Sequence, residues 1–125
     1  MASPDGRKTL GRQGEDLAAA MLEQKGYTVV CRNYRGRCGE VDIIARKTKV
    51  LCFIEVKTRR TRRFGPPQEA VTAAKQRTIC RVAQEFLQRH KLESCPARFD
   101  VIAVDFSAGG GIIEHIENAF ELAVC

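Results

Sequence analysis

The chain is 125 residues long, the length of one domain and enough to bury a hydrophobic core without disulfides. Its composition, 44% hydrophobic and 29% charged, is close to the globular average and argues against a disordered or fibrous protein. No apolar run approaches the roughly 18 residues of a membrane-spanning helix, and the first ten residues lack the apolar stretch of a secretory signal. We therefore expect one cytoplasmic domain over residues 1–125, with no membrane partner and with residues 1–7 as a flexible N-terminus.

Basic side chains are concentrated in the first half of the chain. Residues 1–63 contain 15 basic residues (Lys and Arg) and 7 acidic residues (Asp and Glu). Residues 64–125 contain 6 basic and 8 acidic residues. The formal net charge of the whole chain is +6. Positive charge shared this unevenly favours binding to a polyanion such as nucleic acid, while improved solubility is the alternative interpretation.

The six cysteines do not form a metal-binding or disulfide motif. No two of them are spaced as Cys-x-x-Cys, and disulfides are rare in a reducing cytoplasm. Zinc and iron–sulfur sites use close cysteine pairs on turns, but Cys31 and Cys52 lie in predicted strands and Cys80 lies in a predicted helix. We interpret the cysteines as small buried hydrophobic residues or unreactive thiols.

Hydrophobic periodicity and turn residues predict seven elements in the order αβββαββ. These are a helix over residues 8–25, strands over 27–33, 39–46 and 50–58, a helix over 67–90, strands over 98–106 and 112–116, and a C-terminal segment through residue 120. Gly26 is a natural stop for the first helix, and Pro67 suits the first turn of the second. Residues 50–56 and 101–104 are apolar at almost every position, which is typical of central strands covered on both faces. The predicted fold class is therefore α/β, without internal repeats.

The second and third strands form a predicted hairpin whose register brings two acids together. A two-residue turn at Thr48 and Lys49 fixes that register. The resulting pairs are Lys47 with Val50, Ala45 with Cys52, Ile43 with Ile54, Asp42 with Glu55, Val41 with Val56 and Glu40 with Lys57. A shift by one residue would break both the polar and the apolar pairs. Because opposed residues on neighbouring strands lie about 5 Å apart at Cβ, the carboxylates of Asp42 and Glu55 would face each other.

Facing carboxylates in a sheet interior repel each other and lose hydration, so folding alone does not explain Asp42 and Glu55. A divalent cation such as Mg²⁺ or Mn²⁺ reverses this argument, since carboxylate oxygens are its preferred protein ligands. Lys57, two residues beyond Glu55 on the same face, could orient a water molecule or stabilise charge on a phosphate. The alternative is ordinary ion pairing, of Glu40 with Lys57 and of Glu55 with Arg46 or Arg59.

Glu15 and a run of arginines complete the candidate site. Glu15 lies at the edge of the apolar stripe of the first helix, where it either faces the hairpin acids as a further metal ligand or is a solvated helix acid. Residues 58–63 contain four arginines, which suits binding to a phosphate backbone, although a merely solvated basic loop has the same composition. The predicted backbone-binding residues are Arg59, Arg60, Arg62 and Arg63, extended by Arg32, Arg35 and Arg37 near the end of the first strand.

Six blocks of sequence, in order along the chain, match the pattern of a bacterial family. They are Gly14-Glu15, Gly39-Glu40-Val41-Asp42, Phe53-Ile54-Glu55-Val56-Lys57, Ala70-Val71 with Lys75, Arg98-Phe99-Asp100-Val101-Ile102 and Glu117-Asn118-Ala119-Phe120. Through them the chain resembles the YraN (UPF0102) family from about Gly11 to Phe120. That family is similar to the PD-(D/E)xK superfamily of restriction-endonuclease-like and Holliday-junction-resolvase-like nucleases. Val41 stands where the name of that superfamily has proline.

The resemblance implies a restriction-endonuclease-like fold, in which helices flank a central mixed β-sheet. It implies that Asp42, Glu55 and Glu15 are metal ligands and that Lys57 is the catalytic lysine. Either Lys75 or Gln76, on the helix after the hairpin, corresponds to the auxiliary polar position of that superfamily. Glu40 is a further candidate, as an acid beside the metal ligands.

We therefore expect a Mg²⁺- or Mn²⁺-dependent endonuclease that acts on DNA at branched or otherwise structured sites, and by analogy a homodimer. One alternative is a nucleic-acid-binding module of the same fold that does not cut. Another is a scaffold whose basic loop docks on an acidic protein. The pair of repelling acids favours the enzyme, because a binding module has no use for it.

Overall fold

A computed structural model describes residues 10–60, 71–107 and 110–121, in which the elements follow the predicted order αβββαββ. They are α1 (Leu10–Gln24), β1 (Thr28–Arg35), β2 (Glu40–Lys47), β3 (Val50–Arg59), α2 (Ala73–Arg89), β4 (Ala97–Asp105) and β5 (Ile112–Phe120). The predicted α/β class is confirmed. The N-terminal segment 1–7 and the arginines Arg62 and Arg63 lie outside the described residues.

The strands form one mixed sheet in the order β1-β2-β3-β4-β5. β3 and β4 are parallel, and each of the other neighbouring pairs is antiparallel. α2 lies in the connection between the two parallel strands, which cannot be joined by a short turn. β3 is buried from Leu51 to Glu55 and β4 from Phe99 to Val104, as their continuous apolar sequences predicted.

A hydrophobic core covers each face of the sheet. On one face Leu22 of α1 is fully buried in a cluster with residues of β2, β3 and β4. On the other face Phe86 of α2 packs edge-on against Phe53, with ring centroids 5.9 Å apart. Cys52 and Cys80 are fully buried, as expected for small hydrophobic side chains. Among the described residues, neither helix has the length and apolar composition to cross a membrane.

α2 begins later than the sequence predicted. Thr72 has an extended backbone, with φ −65° and ψ 162°, and its hydroxyl accepts a hydrogen bond from the Lys75 N–H at 3.2 Å. Thr72 is therefore the N-cap, and a continuous helix from residue 67 is wrong. Val71 is buried in the core although it lies before the first residue of the helix.

β5 is longer than predicted, because it continues to Phe120. Phe120 pairs with Phe99 of β4 and stacks on its ring at a centroid distance of 5.1 Å. The register of this pair of strands shifts between Phe99 and Val101, and Asn118 has a φ of 53°. Because of this irregularity, side chains near the end of β5 do not alternate regularly between the two faces of the sheet. The sequence pattern therefore does not show where the strand ends.

The β2–β3 hairpin has the predicted register over its first half. The pairs Lys47–Val50, Ala45–Cys52 and Ile43–Ile54 are all present. Thr48, in the predicted two-residue turn, has a φ of 51°, as tight hairpin turns require. The ladder ends at Ile43 and Ile54, and the further pairs predicted for Asp42, Val41 and Glu40 are not part of it.

The reason is a distortion of β2 and β1 at this point. Val41 and Ile44 both pack in the core beneath α2, although strict alternation would put them on opposite faces of the sheet. On the neighbouring strand, Asn33 has a φ of 53°. The prediction that Asp42 directly opposes Glu55 in a regular β2–β3 ladder is therefore wrong in its geometry.

Candidate active site

Asp42 and Glu55 lie together where β2 and β3 separate. Beyond the last ladder pair, the backbone N–H of Val56 donates a hydrogen bond to Asp42 Oδ2 at 2.8 Å. Asp42 is half-buried, and Glu55 is 6% exposed. Burial, followed by the charge of Glu55, raises the pKa of Asp42 to about 6. The two acids thus share one environment, although they do not form the predicted cross-strand pair.

Two lysines from different elements contact Glu55. Lys57 Nζ on β3 lies 3.5 Å from Glu55 Oε2, and Lys75 Nζ on α2 lies 3.9 Å from the same oxygen. The charge of Lys75 also partly offsets the rise in the pKa of Asp42. The site therefore combines two carboxylates with two ammonium groups, one of them provided by a helix that is distant in sequence.

Glu55 Oε1 is buried and has no hydrogen-bond partner within the described part of the chain. A buried carboxylate oxygen without a partner costs free energy, on the order of 1–3 kcal/mol. A divalent cation with oxygen ligands would remove this cost, so Asp42 and Glu55 fit Mg²⁺ or Mn²⁺ as a pair of ligands. However, no group of three or more Asp, Glu, His or Cys residues in the described ranges is close enough to hold a metal ion. The predicted set of three ligands is thus not assembled.

Glu15, the third predicted ligand, lies near Asp42 but is held by an arginine. Burial, followed by the charge of Asp42, raises the pKa of Glu15. Glu15 Oε1 is 3.6 Å from Arg32 Nη2, and the same nitrogen is 2.8 Å from Asp16 Oδ1. The Glu15 side chain is only 17% exposed, so it is not a solvated helix acid. A cavity of about 300 Å³ opens beside it, lined by Gly11, Arg12, Glu15 and Asn33.

A close approach of α1 to β3 positions Glu15. Gly14 is buried, and a Cβ atom at this position would lie 2.2 Å from Thr58 Oγ1. No larger residue fits without a shift of the helix or of the threonine. Thr58 directly follows Lys57 in β3. The close approach of Gly14 to Thr58 therefore places the first turns of α1 beside the site formed by Asp42 and Glu55.

The remaining auxiliary residues have partners of their own. Glu40 pairs with Arg35 across β1 and β2, at 3.7 Å, rather than with the lysine predicted for it. Its charge contributes to the raised pKa of Asp42. Gln76 Nε2 donates a hydrogen bond to the carbonyl of Val71 at 3.1 Å, which ties α2 to the segment before it.

The predicted backbone-binding arginines are only partly within the described ranges. Arg59 is half-buried at the end of β3, and the next residue, Arg60, is exposed. Arg37 is exposed in the loop between β1 and β2. Arg62 and Arg63 lie outside the described residues, so their contribution stays a prediction.

The sequence analysis missed a buried polar network around Asp100, on the α1 face of the sheet. Asp100 is fully buried and accepts hydrogen bonds from Arg98 Nε and Nη2 at 2.9 and 2.8 Å, from His115 Nε2 at 2.8 Å and from the Asn118 N–H at 2.9 Å. Arg98 Nη2 also donates to the Tyr27 hydroxyl at 2.7 Å. Burial alone would raise the pKa of Asp100, but these hydrogen bonds outweigh it and lower the pKa. The signal available in the sequence was the pair Arg98 and Asp100, two charged residues that lie two positions apart in an otherwise apolar strand.

The fold and the site define an α/β protein with a mixed sheet, helices on both faces and a pair of carboxylates flanked by lysines. The chain belongs to the family described as "Uncharacterised protein family UPF0102", whose model matches residues 14–104. A UPF0102 protein of Pelobacter propionicus is 52% identical over 125 residues, which cover 98% of this chain and 89% of the relative. A UPF0102 protein of Geobacter sulfurreducens is 56% identical over 117 residues, which cover 93% of this chain and 91% of the relative. The family predicted from the sequence is confirmed.

Proposed function

We propose that this protein is a Mg²⁺- or Mn²⁺-dependent endonuclease with a restriction-endonuclease-like fold, and that it hydrolyses phosphodiester bonds in branched or otherwise structured DNA. The observation that supports this most is the buried Oε1 of Glu55, which has no hydrogen-bond partner among the described residues and lies next to Asp42, whose pKa is raised to about 6. Such an arrangement is unfavourable for folding alone. It becomes favourable when a cation completes it.

A divalent cation at these acids would supply positive charge for a phosphate and make a water molecule more acidic. The two lysines would provide the remaining positive charge. Lys57, with a third of its side chain exposed, can reach a water molecule or a phosphate oxygen while it stays beside Glu55. Lys75 adds a second positive charge from α2. Hydrolysis then joins the water oxygen to phosphorus and breaks the bond to the sugar oxygen, which leaves with a proton.

One observation favours a second candidate, a nucleic-acid-binding module of the same fold that does not cut. In residues 10–60, 71–107 and 110–121, Asp42 and Glu55 are not part of a group of three or more Asp, Glu, His or Cys residues that could hold a metal ion. Metal ions with retained waters are nevertheless held by as few as one or two carboxylates in phosphate-processing sites, which is why we place the enzyme first.

The test is a cleavage assay with purified protein and Mn²⁺ on supercoiled plasmid, single-stranded DNA and a four-way junction. We expect cleavage by the wild type and a loss of about a hundredfold or more in Asp42→Asn and Lys57→Gln. Lys49→Gln is the matched control, because Lys49 is exposed in the turn of the same hairpin. It should cleave like the wild type.

Three results would contradict the proposal in different ways. Cleavage that persists in Asp42→Asn would come from a contaminating nuclease. Failure on every substrate, with DNA binding retained in EDTA, would indicate the binding module. Failure to cleave and to bind DNA even at low salt would favour a protein-docking scaffold.

A further inference from the structure

A second positively charged feature, which we call the α2 groove, lies between the β1–β2 loop and α2. It has a volume of about 530 Å³ and is lined by Arg37, Arg81, Gln84, Glu85, Gln88 and Arg89. Three of these residues are arginines and one is an acid, so the groove is positively charged. The two glutamines add amide donors. None of the groove residues belongs to the carboxylate site.

Close packing fixes the loop that forms one wall of the α2 groove. A Cβ atom at Gly36 would lie 2.8 Å from Glu85 Oε1, and one at Gly39 would lie 2.5 Å from Thr78 Cγ2. The backbone N–H of Arg37 donates a hydrogen bond to Glu85 Oε1 at 3.0 Å. Arg37 is therefore held against α2 by its own backbone, and its side chain lines the groove.

The single acid among the residues that line the groove pairs with only one of the three arginines. Glu85 accepts the Arg37 backbone hydrogen bond and forms an ion pair with Arg89, in which Nη2 and Oε2 are 3.4 Å apart. In the part of the chain that the structure describes, no carboxylate contacts the guanidinium of Arg37 or of Arg81. Guanidinium groups of this kind match the geometry of phosphate oxygens, to which they can donate two parallel hydrogen bonds.

We propose that the α2 groove binds the sugar–phosphate backbone of a nucleic acid whose cleaved bond lies at Asp42 and Glu55. The inference rests on the proposed function and extends it. Lys75, which contacts Glu55, is on the same helix as Arg81 and Arg89. At 1.5 Å per residue, those two arginines lie roughly 9 and 21 Å further along the helix axis. At about 3.4 Å per nucleotide, the groove would hold phosphates about three to six nucleotides from the cleaved bond.

The composition of the groove favours nucleic acid over an acidic protein segment. All of its lining residues are charged or amide side chains. A docked peptide usually anchors apolar or aromatic side chains in a central, desolvated pocket, and the groove offers no such surface. A phosphate backbone needs only regularly spaced positive and hydrogen-bonding groups.

The test measures binding of a labelled 20-base-pair duplex by protein that carries Asp42→Asn, across 50 to 200 mM salt. Adding Arg37→Gln or Arg81→Gln should lower the slope of log K against log salt by about 0.9 each. Lys49→Gln is the matched control, because Lys49 is exposed in the β2–β3 turn and does not line the groove. It should change the slope by less than a third as much. Glu85→Gln should have the opposite effect and tighten binding about threefold, since it removes the negative charge of Glu85 from the groove.

Substrate length provides an independent readout. With a duplex of about six base pairs centred on the bond at Asp42, which extends only about 10 Å to either side and does not reach Arg89, Arg89→Gln should bind like its parent. With the longer duplex it should bind about three- to tenfold more weakly. A merely general effect of net charge would not depend on length in this way.

The outcomes separate this inference from the proposed function. If Arg37→Gln and Arg81→Gln behave like Lys49→Gln while the wild type cleaves DNA, the groove assignment is wrong and the endonuclease stands. If the groove variants lose affinity but the wild type cuts nothing, the groove stands and the endonuclease falls. If polyglutamate competes for the groove as strongly as DNA does, the partner is an acidic protein and the nucleic-acid assignment is overturned.

Discussion

Asp42 is expected to lower the stability of the metal-free protein at neutral pH, and Asp42→Asn should therefore stabilise it. The asparagine keeps the shape of the side chain and an oxygen that can accept the Val56 N–H. It removes only the charge. The pKa of Asp42 rises from 3.8 to about 6 on folding, because of burial and then of Glu55. Between these pH values the native state binds more protons than the unfolded state, so stability falls as the pH rises from about 4 to about 6.

The size of the effect follows from the shift in pKa. A rise of about two pKa units corresponds to about 3 kcal/mol at roughly 1.4 kcal/mol per unit. Asp42 is half-buried, and solvent screening reduces this value. We expect Asp42→Asn to raise the free energy of unfolding by about 1–3 kcal/mol at pH 7.5 in EDTA. At pH 4, where the native carboxyl is already protonated, the difference should nearly vanish.

Urea denaturation at the two pH values, followed by circular dichroism, measures the difference. Asp16→Asn is the control, because Asp16 is a partly exposed acid that pairs with Arg32, and the loss of this ion pair should cost less than about 1 kcal/mol. Mn²⁺ should stabilise the wild type and not Asp42→Asn, since the ion binds the folded acids. The reasoning would be refuted if Asp42→Asn were less stable than the wild type at pH 7.5, or if its gain were equal at both pH values.

Three further changes test packing that positions or supports the site, each by urea denaturation. Gly14→Ala places a Cβ atom 2.2 Å from Thr58 Oγ1 and should cost about 1–3 kcal/mol, whereas Gly11→Ala, with nothing within 4 Å, should be neutral or slightly stabilising. Equal stability of the two variants would contradict the close approach of α1. Asp100→Asn should cost about 3–5 kcal/mol because it leaves the buried network without its negative charge, and a loss below 1 kcal/mol would show that the network does not depend on it. Thr72→Ala removes the N-cap of α2 and should cost about 1 kcal/mol, while Thr72→Ser should not; identical values would mean that the cap is not formed.

The fold class and half of the hairpin could be predicted because their signals are local. A two-residue turn at Thr48 and Lys49 determines which residues of β2 and β3 face each other near the turn, and the pair Ile43–Ile54 confirms it. The apolar runs of β3 and β4 likewise predict central strands, since burial on both faces leaves few polar positions.

The geometry of the carboxylate pair could not be predicted in the same way. Extending the register of the hairpin assumes that β2 stays regular. In the structure, however, the Val41 side chain packs into the core beneath α2, and Asn33 on the neighbouring strand has a positive φ. Neither event has a local signal in the sequence. Asp42 and Glu55 still share one environment, because the Asp42 side chain accepts a hydrogen bond from the N–H of Val56 beyond the end of the ladder.

Lys75 illustrates a second limit of the sequence. Nothing in the spacing of α2 shows which of its exposed residues approaches β3, because the position of a helix on a sheet depends on how the cores pack. The resemblance to a family marked Lys75 as an auxiliary position, and the structure places its Nζ 3.9 Å from Glu55. The α2 groove has the same origin, since it forms only when the β1–β2 loop packs on the helix.

The two buried acids of this sheet differ in a way that bears on function. Asp100 is completely buried, yet every hydrogen bond it needs is supplied by Arg98, His115 and a backbone N–H, and its pKa is lowered. The same fold therefore can satisfy a buried carboxylate fully where the carboxylate supports folding. Glu55 is almost as buried and has an oxygen without a protein partner in the described residues. Since two lysines already approach its other oxygen, this oxygen is the ligand position that the proposed divalent cation would occupy.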